Sequence, residues 1–261
     1  MSAGAVLALA ERDLRAVVRS RSQLYSSILT PLLILLFLGT GVSHGLQPAN
    51  LPAGDFSAYL VAGVVVMTSV FSSTFSSASF YRDRDTGMLR ALLVTPQPAR
   101  AILLGKSLAG VLVGTLQALV VLAVASPLTD LSWQYGYLRG VLLALAVVLL
   151  LNLMLAGLAQ SLASRIETMQ GFHLLMNLAL FPLLFFSGAF FPIADLPIWL
   201  EVLAYANPLT YAVDALHLAV YARDTREFIG LWVDLPVLTG LAAFAALAGL
   251  ARLPRVTWSG S

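Results

Sequence analysis

Residues 136–162 read GYLRGVLLALAVVLLLNLMLAGLAQSL, and this stretch decides the fold class. Its one charged side chain, Arg139, lies near the beginning, and a long apolar run follows. A helix needs about 20 apolar residues to cross roughly 30 Å of hydrocarbon, so this stretch can span a membrane. The sequence predicts six such spans, which are Ile28–Leu46, Ala58–Phe80, Ala101–Ser126, Gly136–Leu162, Gln170–Phe191 and Ile229–Ala251.

The composition agrees with a membrane protein. Of the 261 residues, 59% are hydrophobic and 11% are charged, whereas a soluble domain is about half apolar and about a quarter charged. A transmembrane β-barrel would show short alternating segments instead of long apolar runs. We therefore predict an all-α membrane protein with one transmembrane domain over residues 1–261, with spans one to four in 28–162 and spans five and six in 170–251.

The distribution of basic residues predicts the orientation of the chain. With both termini in the cytoplasm, 12 of the 15 arginines and lysines lie inside, and only Arg139, Arg223 and Arg226 lie outside. Cytoplasmic loops carry such an excess, and the reverse topology would invert it. The acids expected outside are Asp55, Asp130, Asp195, Glu201, Asp214, Asp224, Glu227 and Asp234.

The N-terminal residues 1–25 predict an amphipathic helix at the membrane surface. On a helix over Val6–Arg21, one face is apolar and another is basic. The apolar face has Leu7, Ala10, Leu14, Val17 and Val18, and the basic face has Arg12, Arg15 and Arg19. Because the first span follows within a few residues, we expect this helix to lie along the inner leaflet.

A second informative segment joins spans two and three. Four alternating charges, Arg82, Asp83, Arg84 and Asp85, precede Gly87. A short helix should follow, with Leu89, Leu92 and Leu93 on one face, and Pro96 and Pro98 should end it. The apolar face could bind a partner protein, or its leucines could pack back on the bundle. The residues alone leave both interpretations open.

A third segment, residues 192–221, lies outside the membrane in this topology. Pro192, Pro197 and Pro208 interrupt it too often for a span, but Ile198–Ala206 and Leu209–Tyr221 each predict a short apolar helix. Irregular backbone at membrane depth is tolerated only where protein buries it. We expect an external lid or a re-entrant helical hairpin.

The sequence gives little support for an enzyme. His44, His173 and His217 lie on different segments without metal-ligand spacing, and the chain has no cysteine. The triplet Gly105-Lys106-Ser107 resembles the end of a phosphate-binding loop, but Arg100 occupies the position that requires glycine. We expect no catalytic residue, no metal site, no cofactor in this chain and no nucleic-acid partner.

Polar residues in the fifth span are candidates for a substrate path. Gln170, His173 and Asn177 follow one another at helical spacing on one face. Such groups prefer a bundle interior or a cavity, but they could equally hydrogen-bond a neighbouring helix. No fixed charge is expected deep in the membrane, which favours an apolar or amphipathic cargo over a small ion. No acid pair is expected within a span, so neither an intramembrane aspartyl protease nor a proton-relay carboxylate is supported.

Two motifs resemble those of type-2 ATP-binding-cassette transporter permeases. The first is DTGMLRALLVTP at 85–96, continued by ILLGK at 102–106. The second is FSGAFFP at 186–192, followed by NPLTYAVDAL at 207–216, which includes Asn207, Pro208, Tyr211 and Asp214. The similarity covers nearly the whole chain, and it is closest to exporters of the drug-resistance and nodulation type.

This resemblance implies a permease that transports its cargo out across a bacterial or archaeal inner membrane by alternating access. It implies a second permease, expected to be another copy of this chain, and two copies of a separate cytoplasmic ATPase that bind ATP and Mg. The ATPase would contact a coupling helix formed by Arg82, Asp83, Arg84, Asp85, Gly87, Leu89, Leu92, Leu93 and Pro96. Residues 1–25 then correspond to a connecting helix, and residues 192–221 to an external hairpin. An ATPase-independent secondary transporter is the main alternative, and a membrane-embedded enzyme is a weaker one.

Overall fold

The computed structural model describes residues 3–41, 56–87, 99–129, 131–163, 165–166, 168–193, 196–221 and 229–251. Within these segments every regular element is a helix. The helices are α1 Ala3–Arg19, α2 Arg21–Ile34, α3 Phe56–Asp85, α4 Ala99–Ala125, α5 Tyr137–Ala163, α6 Met169–Phe185, α7 Ile198–Ala206, α8 Pro208–Val220 and α9 Leu231–Ala251. A π-helical turn, Leu35–Gly39, continues α2.

Four of these helices are long and apolar enough to cross a membrane, judged by length and composition. They comprise Phe56–Asp83 of α3, Ala101–Ala125 of α4, all of α5 and all of α9. The predicted first and fifth spans correspond to shorter apolar helices, Leu24–Gly39 and Met169–Phe185. The fold is thus a helical membrane bundle with four full-length helices among the described residues.

Helix α3 occupies the middle of the bundle. It packs against α4, α5, α2, α8 and α6, and nearly all residues of its apolar stretch are buried. Small residues allow this close packing, because helices in membranes approach most closely where side chains are small. At Gly63, for example, an added Cβ atom would lie 2.3 Å from the backbone oxygen of Ala189.

A buried asparagine links α3, α4 and α5 inside the bundle. Asn152 lies within the apolar run of α5, and its Nδ2 donates to Ser69 Oγ of α3 over 3.2 Å and to the backbone oxygen of Val148 over 2.9 Å. On the α4 side it faces Gly114, where a Cβ atom would lie 2.1 Å from Asn152 Oδ1. The glycine therefore makes room for the polar side chain, which finds its partners inside the protein.

Helix pairing does not follow chain order. Only a few residues join α5 to α6, where Thr168 Oγ1 accepts a hydrogen bond from Gly171 N over 3.1 Å. Helix α6 nevertheless packs more on α3 than on α5, and the principal partner of α5 is α9. Gly157 of α5 lies directly against the backbone of Ala245 in α9. The main contacts of α5 are therefore not with the helix that follows it in the chain.

The two short helices α7 and α8 differ in their surroundings. Nearly all of α8 is buried, where it packs against α5, α9 and α3. Helix α7 is largely exposed, with Ile198, Trp199 and Val202 on its surface. The second helix of the predicted hairpin, α8, is therefore part of the bundle, whereas the first, α7, lies on the surface.

Candidate functional site

Helix α1 lies against the beginning of α4, and a glycine allows the contact. A Cβ atom at Gly105 would lie 2.9 Å from both Leu9 Cβ and the backbone oxygen of Val6. Ala10 and Asp13 are the buried residues of α1, whereas Leu7 is exposed. One face of the predicted amphipathic helix thus packs against the rest of the protein, and Asp13 lies on that face.

Four charged side chains meet where α1, α3 and α4 converge. Lys106 Nζ lies 2.5 Å from Asp83 Oδ2 and 3.1 Å from Asp13 Oδ2. Arg12 Nη2 lies 2.5 Å from Asp83 Oδ2 and 2.7 Å from Asp13 Oδ1. Each carboxylate therefore contacts both cations. We call Arg12, Asp13, Asp83 and Lys106 the charge cluster.

The charge cluster is buried and electrically balanced. The side chains of Lys106 and Asp13 are only 5% and 8% exposed, and charges this buried are tolerated only when paired. Partial burial of Arg12 opposes its charge, but the hydrogen bonds and charges of Asp13 and Asp83 outweigh this effect and raise the pKa of Arg12 above its ordinary value. The cluster thus joins three helices through ions that have their partners within the chain.

Helix α3 ends immediately beyond the charge cluster. The backbone N–H and the hydroxyl of Thr86 both donate to the backbone oxygen of Arg82, over 3.0 and 2.8 Å. Gly87 follows with φ +72°, the left-handed conformation that commonly terminates helices. Residues 82–85, which the sequence placed in a loop, therefore extend α3. The ion pairs that Asp83 forms with Arg12 and Lys106 compensate for its negative charge at this end of an apolar helix.

The structure brings one predicted coupling residue, Asp83, into the charge cluster. Arg82 is exposed and lines a groove of about 540 Å³ between α1 and the end of α3. Arg84 and Asp85 belong to α3 by their backbone, and Gly87 follows it. The remaining predicted residues, Leu89, Leu92, Leu93 and Pro96, lie outside the described residues.

Sequence reasoning missed two members of the charge cluster. Lys106 appears in the sequence patterns only in the triplet Gly105-Lys106-Ser107 and in the motif at 102–106, and no pattern assigns a role to Asp13. A local signal did exist for Asp13, because it follows Ala10 by three residues and precedes Val17 by four, on the apolar side of α1. An acid on the apolar side of a helix requires a cation from another helix or loop.

The predicted path residues lie on the surface of the single chain. Gln170 and Asn177 of α6 are exposed and His173 is half-buried. The residues that pack α6 on the bundle are Phe172, Met176, Leu180 and Leu184. The polar stripe thus borders this packing face and does not enter the interior of one chain.

The residues of the second motif stabilise the junction of α7 and α8. Asn207 caps α8 by accepting from Leu209 N over 3.0 Å, and its Nδ2 donates to the backbone oxygen of Leu183 over 2.5 Å. Pro208 follows at the first turn of α8, where its missing N–H costs no helical hydrogen bond. Tyr211 Oη donates to the backbone oxygen of Tyr205 over 2.8 Å. This motif therefore fixes α8 against α6 and α7.

Asp214, the last residue predicted in the hairpin, holds the beginning of α9. Its Oδ2 accepts from the backbone N–H groups of Ile229 and Gly230 over 3.0 and 3.3 Å. It also meets the side chain of Asp234, which is fully buried in the first turn of α9. The return of α8 into the bundle thus brings Asp214 to Asp234, a pairing between two helices that the sequence did not predict.

The described residues contain no group of three histidines or acids arranged to hold a metal ion. His217 is instead packed on Tyr59, with ring centroids 4.3 Å apart, and its Nε2 lies 3.0 Å from the backbone oxygen of Tyr59. His173 lies on a different helix. These two histidines thus occupy separate sites.

Known proteins are similar to this chain over most of its length. The sequence model of a family described as ABC-2 type transporter matches residues 4–221. Probable multidrug ABC transporter permease YbhR of Escherichia coli (strain K12) is 28% identical over 200 residues, which cover 74% of this chain and 53% of that protein. This chain thus spans about half the length of the E. coli relative.

Two further relatives are matched over more of their length. Putative transport permease ycf38 of Pyropia yezoensis is 30% identical over 218 residues, covering 80% of this chain and 71% of that protein. Nodulation protein J of Neorhizobium galegae is 24% identical over 229 residues, covering 85% of each.

Proposed function

The chain belongs to the ABC-2 type transporter family, and from this we propose that it is the membrane-embedded permease of an ATP-driven exporter. A separate cytoplasmic ATPase, in two copies, would bind ATP and Mg. A second copy of this chain would complete the permease in a bacterial or archaeal inner membrane. The amphipathic cargo, a drug, a lipid-like molecule or a glycan, would leave by alternating access.

The observation that carries this proposal is the charge cluster at the base of the predicted coupling segment. Asp83 is bound by Arg12 of α1 and Lys106 of α4, so the end of α3 is attached to two other helices. Residues 88–98 connect α3 to α4 and begin immediately after this attachment. A force applied to that segment by an ATPase would therefore reach α1, α3 and α4 together.

Substitution of Leu92 with aspartate tests the coupling role. The tagged chain is purified from detergent-solubilised membranes of its host, and copurified proteins are identified and assayed for ATPase activity. We expect a soluble ATPase to copurify with wild type, and most of it to be lost from Leu92→Asp. Desolvating a carboxylate on an apolar contact face would cost on the order of 2–5 kcal/mol of binding free energy.

Leu128→Asp is the matched control, because Leu128 is an exposed leucine in the turn after α4, outside the membrane in the predicted topology. This variant should retain the ATPase. The proposal fails if wild-type protein purifies alone and still moves solute on an ion gradient, or if Leu92→Asp retains the ATPase as well as wild type does.

We propose further that Gln170, His173 and Asn177 line the cargo path where two copies of the chain meet. Their exposure on α6 supports this role, since polar side chains at membrane depth require polar surroundings. Leu174 and Leu178 are exposed on the same helix, so the path would border a lipid-facing surface.

The absence of cysteine from the chain allows a direct test of this path. We expect Asn177→Cys to react with a charged thiol reagent at least about tenfold faster than Leu178→Cys, because the reactive thiolate requires an aqueous environment. Cargo should slow the reaction of Asn177→Cys alone. Equal reaction of the two variants would place Asn177 outside an aqueous path.

An ATPase-independent secondary transporter is the second candidate function. One observation favours it, namely that the buried Asp234 of α9 meets Asp214 of α8. Coupling carboxylates are typical of such transporters. This pair, however, lies in the first turn of α9, at one end of the helix. The pull-down of wild-type protein distinguishes the two functions.

A further inference from the structure

The acid pair Asp214–Asp234 has an unusual set of partners. Asp234 is fully buried, and neither of its side-chain oxygens has a hydrogen-bond donor among the described residues. Asp214 in contrast accepts from two backbone N–H groups, those of Ile229 and Gly230. The two carboxyl groups are close enough to interact directly with each other.

Two ionised carboxylates in such a place would repel each other strongly. A pair of this kind holds one proton, because like charges in contact cannot both be ionised without compensation. The two backbone donors favour the charged form of Asp214, and Asp234 has no donor that would favour its own. The proton therefore belongs on Asp234, whose hydroxyl can donate to the Asp214 carboxylate.

We propose that Asp214 and Asp234 form a proton-binding site between α8 and α9. Asp234 carries the proton and donates a hydrogen bond to Asp214, which at the same time holds the turn at Ile229 and Gly230. The bound proton thus connects the buried helix of the hairpin to the first turn of α9. Removal of the proton would leave two adjacent negative charges at this junction.

No cation among the described residues forms an ion pair with Asp214 or Asp234. Titratable groups on the helices packed around the acid pair include Glu201 and Tyr205 of α7, Tyr211 and His217 of α8, Tyr59 of α3, and Tyr137 and Arg139 of α5. His217 Nε2 contacts the backbone oxygen of Tyr59, and Arg139 is exposed and forms no ion pair with either acid among the described residues. Arg223 and Arg226 lie outside the described residues, so the experiment includes them.

Infrared spectroscopy of the full chain in lipid tests the site, with ¹³C-labelled aspartate to identify the band of a protonated aspartic acid. We expect this band in wild type at neutral pH, equivalent to one carboxyl group per chain, and its loss as the pH is raised. Asp234→Asn should remove it, because Asp214 then remains ionised. Asp214→Leu, which has a similar size and no polar group, should retain it, because Asp234 then stays buried without a donor. Glu201→Gln, a nearby acid outside the pair, is the matched control and should leave the band unchanged.

Other results would overturn the proposal. Absence of the band in wild type, with its appearance in Arg223→Gln or Arg226→Gln, would show that an arginine neutralises two ionised acids. Persistence of the band in Asp234→Asn would place the proton elsewhere. Loss of the wild-type band on addition of Na⁺ or Mg²⁺ at constant pH would assign the pair to a metal cation. If Asp234→Asn fails to fold, the pH titration of wild type and the retained band of Asp214→Leu decide the question.

Discussion

Replacement of Lys106 with methionine is expected to lower the free energy of unfolding by about 3–5 kcal/mol, the cost of removing one partner from a buried ion pair. Lys106 contacts both Asp13 and Asp83 and is itself buried. Without it, two carboxylates would share the single, partly exposed guanidinium of Arg12. The methionine side chain fills a similar volume, so the effect reports mainly the lost charge.

The unfolding midpoint in detergent, measured by heating and size-exclusion chromatography, checks this expectation. Arg15→Gln is the control, because Arg15 pairs with Glu11 on the exposed side of α1, and exposed pairs contribute about 0–1 kcal/mol. The double variant Lys106→Met with Asp13→Asn restores the charge balance and should recover much of the loss. If Lys106→Met unfolds at the same temperature as Arg15→Gln, the charge cluster does not hold the three helices together.

Gly157→Ala is the second substitution for which we expect a large effect. A Cβ atom at this position would lie 2.3 Å from the backbone carbon of Ala245, 2.4 Å from its oxygen and 2.7 Å from the nitrogen of Ala246. These are backbone atoms of α9, which cannot rotate away as a side chain can. The helices α5 and α9 must therefore separate, and overpacking of this kind costs about 1–3 kcal/mol or more.

Gly240→Ala provides the comparison within α9, since a Cβ atom there would meet nothing within 4 Å. Alanine favours a helix over glycine by about 1 kcal/mol, so this variant should be neutral or slightly stabilised. The unfolding midpoints of both variants are compared with wild type in the same detergent. A loss of stability in Gly240→Ala equal to that in Gly157→Ala would contradict the close contact between α5 and α9.

The sequence predicts a helix well where the residues of the segment itself determine it. Long apolar runs locate α3, α4, α5 and α9, because a chain without water partners must satisfy its backbone within the segment. The prolines of residues 192–221 likewise divide that segment into short helices. The boundary of α3 was less predictable, because Arg82 and the three residues that follow read as a charged loop. Within this stretch, Asp83 is paired with cations from α1 and α4, and the local sequence does not show these partners.

The candidate site was only partly predictable for a related reason. Asp83 was identified within its motif, but Lys106 lies 93 residues from Asp13 along the chain. No spacing rule connects residues so far apart. Asp234 illustrates the same limit. Its position near the end of a predicted span indicated an exposed acid, but α8 packs back into the bundle and Asp234 is buried beside it. The sequence supplied the ionisable groups, and the packing of helices selected their partners.

The burial of α3 restricts the ways in which two copies of the chain could associate. A helix surrounded by five others of its own chain presents little surface to a neighbouring protomer. Helices at the perimeter do present one, as shown by exposed Tyr25 and Phe37 around α2 and by Leu174 and Phe181 on α6. A symmetric pair would therefore meet through helices at the perimeter, such as α2 or α6, and α3 would lie inside each half.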